Sequence, residues 1–553
     1  MRQLAVLAAL VGFVGCSDNP YDPSGPAIDP NAPRVHITSP KRGTIAGDVH
    51  TVTVTGTVET KNKIDSVTVD DVDASVAADG SFTATVPVKP GTFLLHAVAK
   101  DSAGATGKES RAVVVGPMAK IDTKVQNALT ATVSAQTFTA LGTMAANFMT
   151  GGDLSSLLTA KNPVFDVNGG PDCLYMMGSI TSFNIQGASV SLSPQPGGLA
   201  IDVELDNVAI GMHLAYAAAC IDGSRDVMVA AQHITVSGML TVGVVNKDFD
   251  IHLDSPVVSI SGLDVDLGGI PGAIADLVDL NALLQPVLGW AAEKFVVPML
   301  NKSLAGLNDV KTVNVLGTMV DIDVSPSAIT FSNEGAIIEL DTSLRAHGDN
   351  FSPGFVYIPN QLPAMDLSHG FQLAVADDAA NQLFGSMWAA KALDKIENLK
   401  TGPYGEIGQL YDSVEIAASV PPFVDATGGA LKMTIGDLTA TFRNGEVTAT
   451  EVVINAEVDL KVVNDPMTGA IRLDVGQPTV YVDVLDDSEG VQGANELSNS
   501  QFEQISSFAT ARIIAVASGS VGAIPLPTIE GVAVKNLSVN EQSGYLVVDG
   551  AVQ

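Results

Sequence analysis

The sequence predicts an α+β chain: an all-β sandwich followed by two equivalent modules of long strands and packed helices. Three observations predict it. Residues 34–116 alternate apolar and polar side chains at period two between short turns. Further on, strand-like runs longer than the usual five or six residues alternate with stretches of helical spacing. One hairpin is also written twice, as "TFSNEGAIIELDT" at 330–342 and "SVNEQSGYLVVDG" at 538–550.

The bulk composition narrows the function classes. A chain of 553 residues has room for about three domains. Charged residues make up only 16%, against roughly 25% in ordinary soluble domains, and mean hydropathy is +0.29. Few charges with much Gly, Ala, Val and Thr suit β-structure with apolar surface to hide. The formal charge of −33 opposes binding to nucleic-acid phosphates and to anionic lipid headgroups, so both are set aside.

The N-terminus carries the sharpest local signal. Met1-Arg2 is followed by an apolar run, Leu4 to Val14, too short to span a bilayer. It ends in Phe13-Val14-Gly15-Cys16, then Ser17-Asp18. This resembles a bacterial lipoprotein signal, with Phe13 where such signals usually carry Leu. The resemblance implies removal of 1–15 and acylation of Cys16 as a membrane anchor. An ordinary secretory signal with an incidental Cys is the other reading. Residues 16–33, rich in Pro, Asp, Asn and Ser, read as an extended tether. Anchor and tether together place the chain in the bacterial cell envelope, at an outer membrane, facing the periplasm or the exterior.

Two further cysteines, Cys173 and Cys220, admit either a disulfide, favoured by an oxidising compartment, or two buried thiols. Without clustered His they make a poor metal site, and no metal is expected.

Within 34–116, "HTVTVTGTVE", "IDSVTVD", "SFTATVPV", "FLLHAVAKD" and "RAVVVG" read as strands, with turns at Ala78-Asp79-Gly80 and Asp101-Ser102-Ala103-Gly104. The stretch resembles bacterial immunoglobulin-like modules, which implies a spacer or binding role. Asp70, Asp71 and Asp73 lack the Gly and closing Glu of a calcium loop and read as a solvated turn.

From 118 to 150 the apolar positions Ile121, Val125, Leu129, Val133, Phe138, Leu141, Ala145 and Phe148 step by three to five, which predicts a helix, with a break at Gly142 as an option. Long strands follow, including "GLAIDVELDNVAIGMHLAYAAAC" and "VMVAAQHITVSGMLTVGVV". Residues 274–307 are helical in pattern, with Leu277, Leu284, Leu288 and Phe295 on the apolar side and Pro286 and Pro298 expected to kink or divide the segment. The second half repeats the order, with helices expected over 370–394 and 496–517. Asn333-Glu334 recurs as Asn540-Glu541 and Asp341 as Asp549, at offsets of 207 and 208.

This arrangement resembles the tubular lipid-binding superfamily typified by bactericidal/permeability-increasing protein. The resemblance spans 118–553. It is carried by Ile524-Pro525-Leu526-Pro527 leading into "VAVKNLSVNEQSGYLVVDG" and by "VYIPNQLPAMDLSHGFQLAVADDAANQL". It implies two elongated, curved β-barrels (117–318 and 366–553), each with long packed helices over a lipid groove, joined by a central sheet and linker (319–365). The groove candidates are Ile121, Val125, Leu129, Phe138, Leu141, Leu277, Leu284, Leu288 and Phe295 in the first half. In the second they are Leu373, Val375, Leu383, Phe502, Ile505 and Phe508. No cofactor is implied beyond bound lipid or fatty acyl chains. Two departures stand out. The acidic surface does not fit a basic tip for lipopolysaccharide. Cys173 and Cys220 both fall in or beside strands, so the strand-to-helix disulfide of animal members does not carry over.

Catalytic patterns are lacking. There is no G-x-S-x-G elbow, P-loop, H-E-x-x-H or C-x-x-C. His213, His233 and His252 fall in successive strand segments and read as satisfied strand histidines rather than a metal triad. Trp290 and Trp388 read as core. The sequence thus favours a non-enzymatic lipid binder or carrier, against a surface adhesion or scaffold lipoprotein and against a hydrolase with an unrecognised site.

Overall fold

The period-two alternation of residues 34–116 folds as two facing sheets. One orders strands Arg34–Ser39, Thr51–Glu59, Ser81–Pro87 and Ser75–Val76; the other orders Thr44–Gly47, Thr106–Val115, Gly91–Asp101, Ile64–Val69 and Val72–Asp73. Val52, Val54, Val69, Phe82, Leu95 and Val113 fill the space between them. Asp70 and Asp71 form the turn joining Ile64–Val69 to Val72–Asp73, both in the left-handed region (φ 47° and 63°), as a tight two-residue hairpin turn requires.

The coordinates come from a computed structural model that describes residues 32–151, 159–168, 175–218, 220–266, 279–348, 353–368, 370–401, 404–428, 430–464, 471–485, 499–521 and 534–552. Residues 1–31, with Cys16 and the expected leader and most of the expected tether, lie outside these residues, as do Cys173 and Leu277. The chain is 59% strand and 18% helix, with curved half-barrel sheets, so it is less helical than two barrels with long packed helices would be.

The duplication read from one hairpin extends through the whole topology. The first half holds a seven-stranded sheet in the order Phe165–Asn168, Tyr175–Asn184, Gly198–Ala218, Ile221–Val245, Asp248–Ser261. Gly187–Gln195 also pairs with the third strand and Asp264–Val265 with the fourth. The second half orders Lys395–Asn398, Ser413–Ala418, Leu431–Asn444, Val447–Asn464, Ile471–Val475. There Phe423–Asp425 and Thr479–Val484 likewise pair with the third and fourth strands. Each set is preceded by a strand and a helix, and followed by a helix and a hairpin.

Those flanking strands and hairpins meet in a third seven-stranded sheet. Its order is Asp309–Val315, Thr318–Ser332, Gly335–Ala346, Val125–Ser134, Phe371–Ala376, Tyr545–Val552, Val534–Gln542. The two copies of the hairpin thus lie on either side of a central antiparallel pair, in which Leu129 faces Val375 and Ala131 faces Leu373. Each copy also caps a helix in the same way: Glu334 O accepts from Ala135 N at 2.9 Å, and Gly544 O from Asp377 N at 3.0 Å. Residues 319–365 supply only two strands of this sheet; the rest come from both ends of the two halves.

Curvature has a local cause. Gly198–Ala218 and Ile221–Val245 would each span about 70–80 Å if straight. The ladder between Ile221–Val245 and Asp248–Ser261 shifts register between Ser237 and Met239, and the ladder between Leu431–Asn444 and Val447–Asn464 shifts at Asp437 (φ 43°). A third shift falls at Asn127 (φ 50°) in the central sheet. Asn and Asp tolerate the left-handed region, and each such bulge bends its strand and increases its twist.

The helices differ from the sequence expectation. The helix predicted over 118–150 starts only at Ala135; before it, Val125–Ser134 is a central strand whose β-branched residues and buried surroundings outweigh the helical spacing. The helix then runs unbroken to Gly151. Gly142 permits close approach to the sheet, because a Cβ there would sit 2.4 Å from Val190 O. Leu280–Leu304 is one helix despite Pro286 and Pro298. Both prolines are exposed, so the hydrogen bonds they forgo lie on the solvent side. The helix predicted over 370–394 is strand Phe371–Ala376 followed by helix Asp377–Ala389. The last helix is Asn499–Val521.

The β-sandwich does not stand off as a spacer. Strand Thr106–Val115 is buried on both faces from Glu109 onward. Its outer face, with Leu94, packs Ala112 and Val114 against Val356, Val420 and Phe423. Gly436 allows this approach, since a Cβ there would meet the Ala112 methyl at 2.3 Å. Around the apolar contact lies a buried ionic network. Arg42 bridges Asp437 (2.9 Å) and Glu109 (3.2 Å), and Arg111 pairs with Glu109 at 2.5 Å. Ser110 N donates to Asp483 Oδ2 at 3.2 Å, and the His96 ring lies 4.1 Å from that of Tyr481.

Candidate functional site

Helix Ala135–Gly151 begins where Ser134 Oγ accepts from Thr137 N at 3.4 Å. From there Phe138, Leu141, Ala145 and Met149 recur on one buried face. The Leu280–Leu304 helix is capped by Asp279, whose side chain accepts from Ala282 N at 3.1 Å; Leu284, Leu288, Val296 and Leu300 are buried. Both helices lie over the curved sheet of the first half, one against Gly187–Gln195 and the other against Asp248–Ser261.

Between the helices, the long sheet and the central sheet is a small apolar cleft of about 20 Å³, partly open to solvent. Phe138 and Leu141 form one wall, and Leu300, Ser303 and Leu304 another. Leu199, Val242 and Ile251 come from the long strands; Val133, Ile329, Phe331 and Ile338 come from the central sheet. Ser303 is the only lining residue with a polar side chain, and its hydroxyl is spent on Met299 O at 3.0 Å. The walls therefore offer hydrocarbon and no unsatisfied hydrogen-bonding group. Such a space discriminates by length and width and binds through exclusion of water.

The sequence candidates fall into four groups. Phe138 and Leu141 line the cleft. Leu284 and Leu288 are buried on the second helix, and Phe295 is half-buried with its ring 5.5 Å from that of Phe148. Val125, Leu129, Leu373 and Val375 lie in central strands rather than on helices, and Ile121 in the loop before them. They are buried at the junction of the halves and do not line the cleft. Leu383, Phe502 and Ile505 are buried on second-half helices, with Phe508 half-buried against Tyr404 at 6.0 Å. The missed lining residues, such as Leu199, Val242 and Ile251, sit at inward positions of alternating strands. The period-two pattern marks them as buried but cannot say which helix they meet.

Cys220 is an exposed turn residue (φ 62°) between the two longest strands. The three strand histidines each meet an aspartate: His213 with Asp226 at 2.7 Å, His233 with Asp206 at 2.8 Å, His252 with Asp250 at 3.4 Å. The first two are cross-strand pairs on the outer face of the sheet. Among the described residues no cluster of His, Cys, Asp or Glu is arranged to hold a metal, and no helix is long and apolar enough to cross a membrane.

Residues 33–116 match the family described as glucodextranase, domain B. No curated protein sequence matches the chain. Among solved structures the chain is similar to lipopolysaccharide binding protein, at 15% identity over 77% of this chain and 99% of that one, with a TM-score of 0.38. It is also similar to P47 of Clostridium botulinum E1 (9% identity, 78% and 100% covered, TM-score 0.24) and to P47 from Clostridium botulinum A2 (9%, 77% and 98%, TM-score 0.24). These likenesses are distant, and the functional reading rests on the geometry above.

Proposed function

We propose that the protein binds and carries apolar lipids without catalysing a reaction, tethered to a bacterial membrane through acylated Cys16. The observation that carries the reading is the cleft under the two first-half helices, walled by hydrocarbon from helix, curved sheet and central sheet. Each methylene buried there contributes roughly 0.8 kcal/mol, so an acyl chain is held without a charged contact. At about 20 Å³ the closed cleft has room for roughly one water, so an acyl chain enters only as a helix parts from the sheet. The resemblance of the sequence to tubular lipid-binding proteins supports the same reading.

A disulfide between Cys173 and Cys220 is part of this proposal. Tyr175 pairs with Ala217, and Cys173 and Cys220 stand only two and three residues beyond that pair in sequence. The test of lipid carriage is extraction of the purified, non-acylated protein under denaturing conditions, followed by lipid mass spectrometry. Lipid in stoichiometric amount is the expected result. Its absence, together with refusal to take up added lipid, would leave an adhesion or scaffold role as the better account.

A further inference from the structure

We infer that acyl chains exchange through the first half alone, with helix Ala135–Gly151 as the lid and Phe148 as its latch. The inference rests on the lipid-binding reading and goes beyond it, because matching topologies in the two halves would otherwise imply two equivalent sites.

The equivalent helices are held in opposite ways. Helix Asp377–Ala389 has ten of its thirteen residues buried and is tied to its surroundings by side-chain hydrogen bonds along its length. Asn381 exchanges bonds with both backbone groups of Val424 at 2.8 and 2.9 Å. Gln382 accepts from Leu344 N at 2.9 Å and donates to Ile121 O and Thr123 O at 2.8 and 2.6 Å. Ser386 Oγ accepts from Ala346 N at 2.8 Å, and Trp388 Nε1 donates to Ala418 O at 2.8 Å. Lifting this helix would orphan all of these groups at once.

Helix Ala135–Gly151 is tied, among the described residues, only at its start, where Thr137 Oγ1 donates to Gly370 O at 3.3 Å. Among the described residues, its side-chain hydrogen bonds beyond the first turn all run to its own backbone: Thr139 to Ala135, Thr143 to Thr139, Thr150 to Ala146. It carries no charged residue. What holds it down is apolar contact, which an entering acyl chain replaces in kind. Its C-terminal half exposes Met144 (42%) and Phe148 (61%). The Phe148 ring closes against Phe295 at 5.5 Å, bridging the same two helices whose Phe138, Leu141, Leu300 and Leu304 line the cleft. An aromatic pair at that place resists opening without lining the bound chain.

The test uses cis-parinaric acid, whose fluorescence rises in apolar surroundings, with the full soluble chain and its F148A variant. Titration should saturate at one first-half site per chain. In stopped flow, F148A should raise the association and dissociation rates together by about fivefold, as loss of one aromatic pair implies, leaving Kd within about twofold. Amide exchange should be faster across 139–151 than across 378–389. Unchanged rates in F148A, a Kd shift without a rate shift, or equal exchange in the two helices would overturn the lid. Two sites of equal affinity would overturn the asymmetry while leaving lipid binding intact. No uptake by the wild-type chain would instead refute lipid binding itself.

Discussion

Replacing Arg42 by Met asks whether the β-sandwich is built into the second half or merely rests on it. Arg42 reaches Asp437, Glu109 and Asp483 together, at 2.9, 3.2 and 3.9 Å. The Asp437 carboxylate is fully buried, and burial already raises its pKa against the pull of Arg42 and Arg111. Removing one partner of a buried pair typically costs 3–5 kcal/mol, because the other charge stays desolvated. Here Arg111 remains nearby and Asp437 can take up a proton, so the lower end, about 3 kcal/mol, is expected. The assay is the first transition of a urea titration, read alongside limited proteolysis near residue 117. R42M should lower that midpoint and expose the segment that leaves the sandwich at residue 117. Adding D437N should recover part of the loss, since Asp437 then carries no stranded charge while Glu109 keeps Arg111. If R42M unfolds within about 0.5 kcal/mol of wild type, or the double variant is no better than the single, the ionic network does not hold the junction.

Three further outcomes follow from the same coordinates. Burial pushes the carboxyl of Asp377 up to about 6, of Asp378 to about 7 and of Asp483 to about 8. These folded-state values lie above the unfolded one, so this stability is complete near pH 4 and is lost as pH rises through 6 to 8. Melting temperature should therefore climb as buffer falls from about pH 8.5 to 6.5, and D378N should flatten the slope. His96, pushed down to about 4 by burial, opposes the trend below its ordinary 6.5. Q382L strands the Leu344 amide and the Ile121 and Thr123 carbonyls, and should cost about 3 kcal/mol or more in urea denaturation. G142A gains about 1 kcal/mol of helix propensity. It also forces the helix off Val190 O, an overpacking cost of roughly 1–3 kcal/mol. A net loss of about 1 kcal/mol is expected, with faster parinarate exchange; a stabilised G142A would mean that the helix does not lie so close.

The sequence by itself determined what is written locally. Alternation at 34–116 specified the sandwich, although Asp70, expected in a solvated turn, exchanges hydrogen bonds with the His96 backbone. The repeated hairpin announced a duplication, and the spacing over 118–150 and 274–307 marked two apolar helices, the first of which begins only at Ala135. Tertiary structure decided the rest. Val125, Leu129, Leu373 and Val375 have helical spacing but are strands, because buried strands paired on both edges are apolar throughout and lose their period of two. No local signal says that the two hairpins share one sheet, since their pairing partners lie far away in sequence. The cleft likewise depends on which inward strand positions meet which helix. Nor does composition separate a helix pinned by Gln382 and Ser386 from one that only apolar contact restrains: that difference lies in the partners, which folding alone brings within reach.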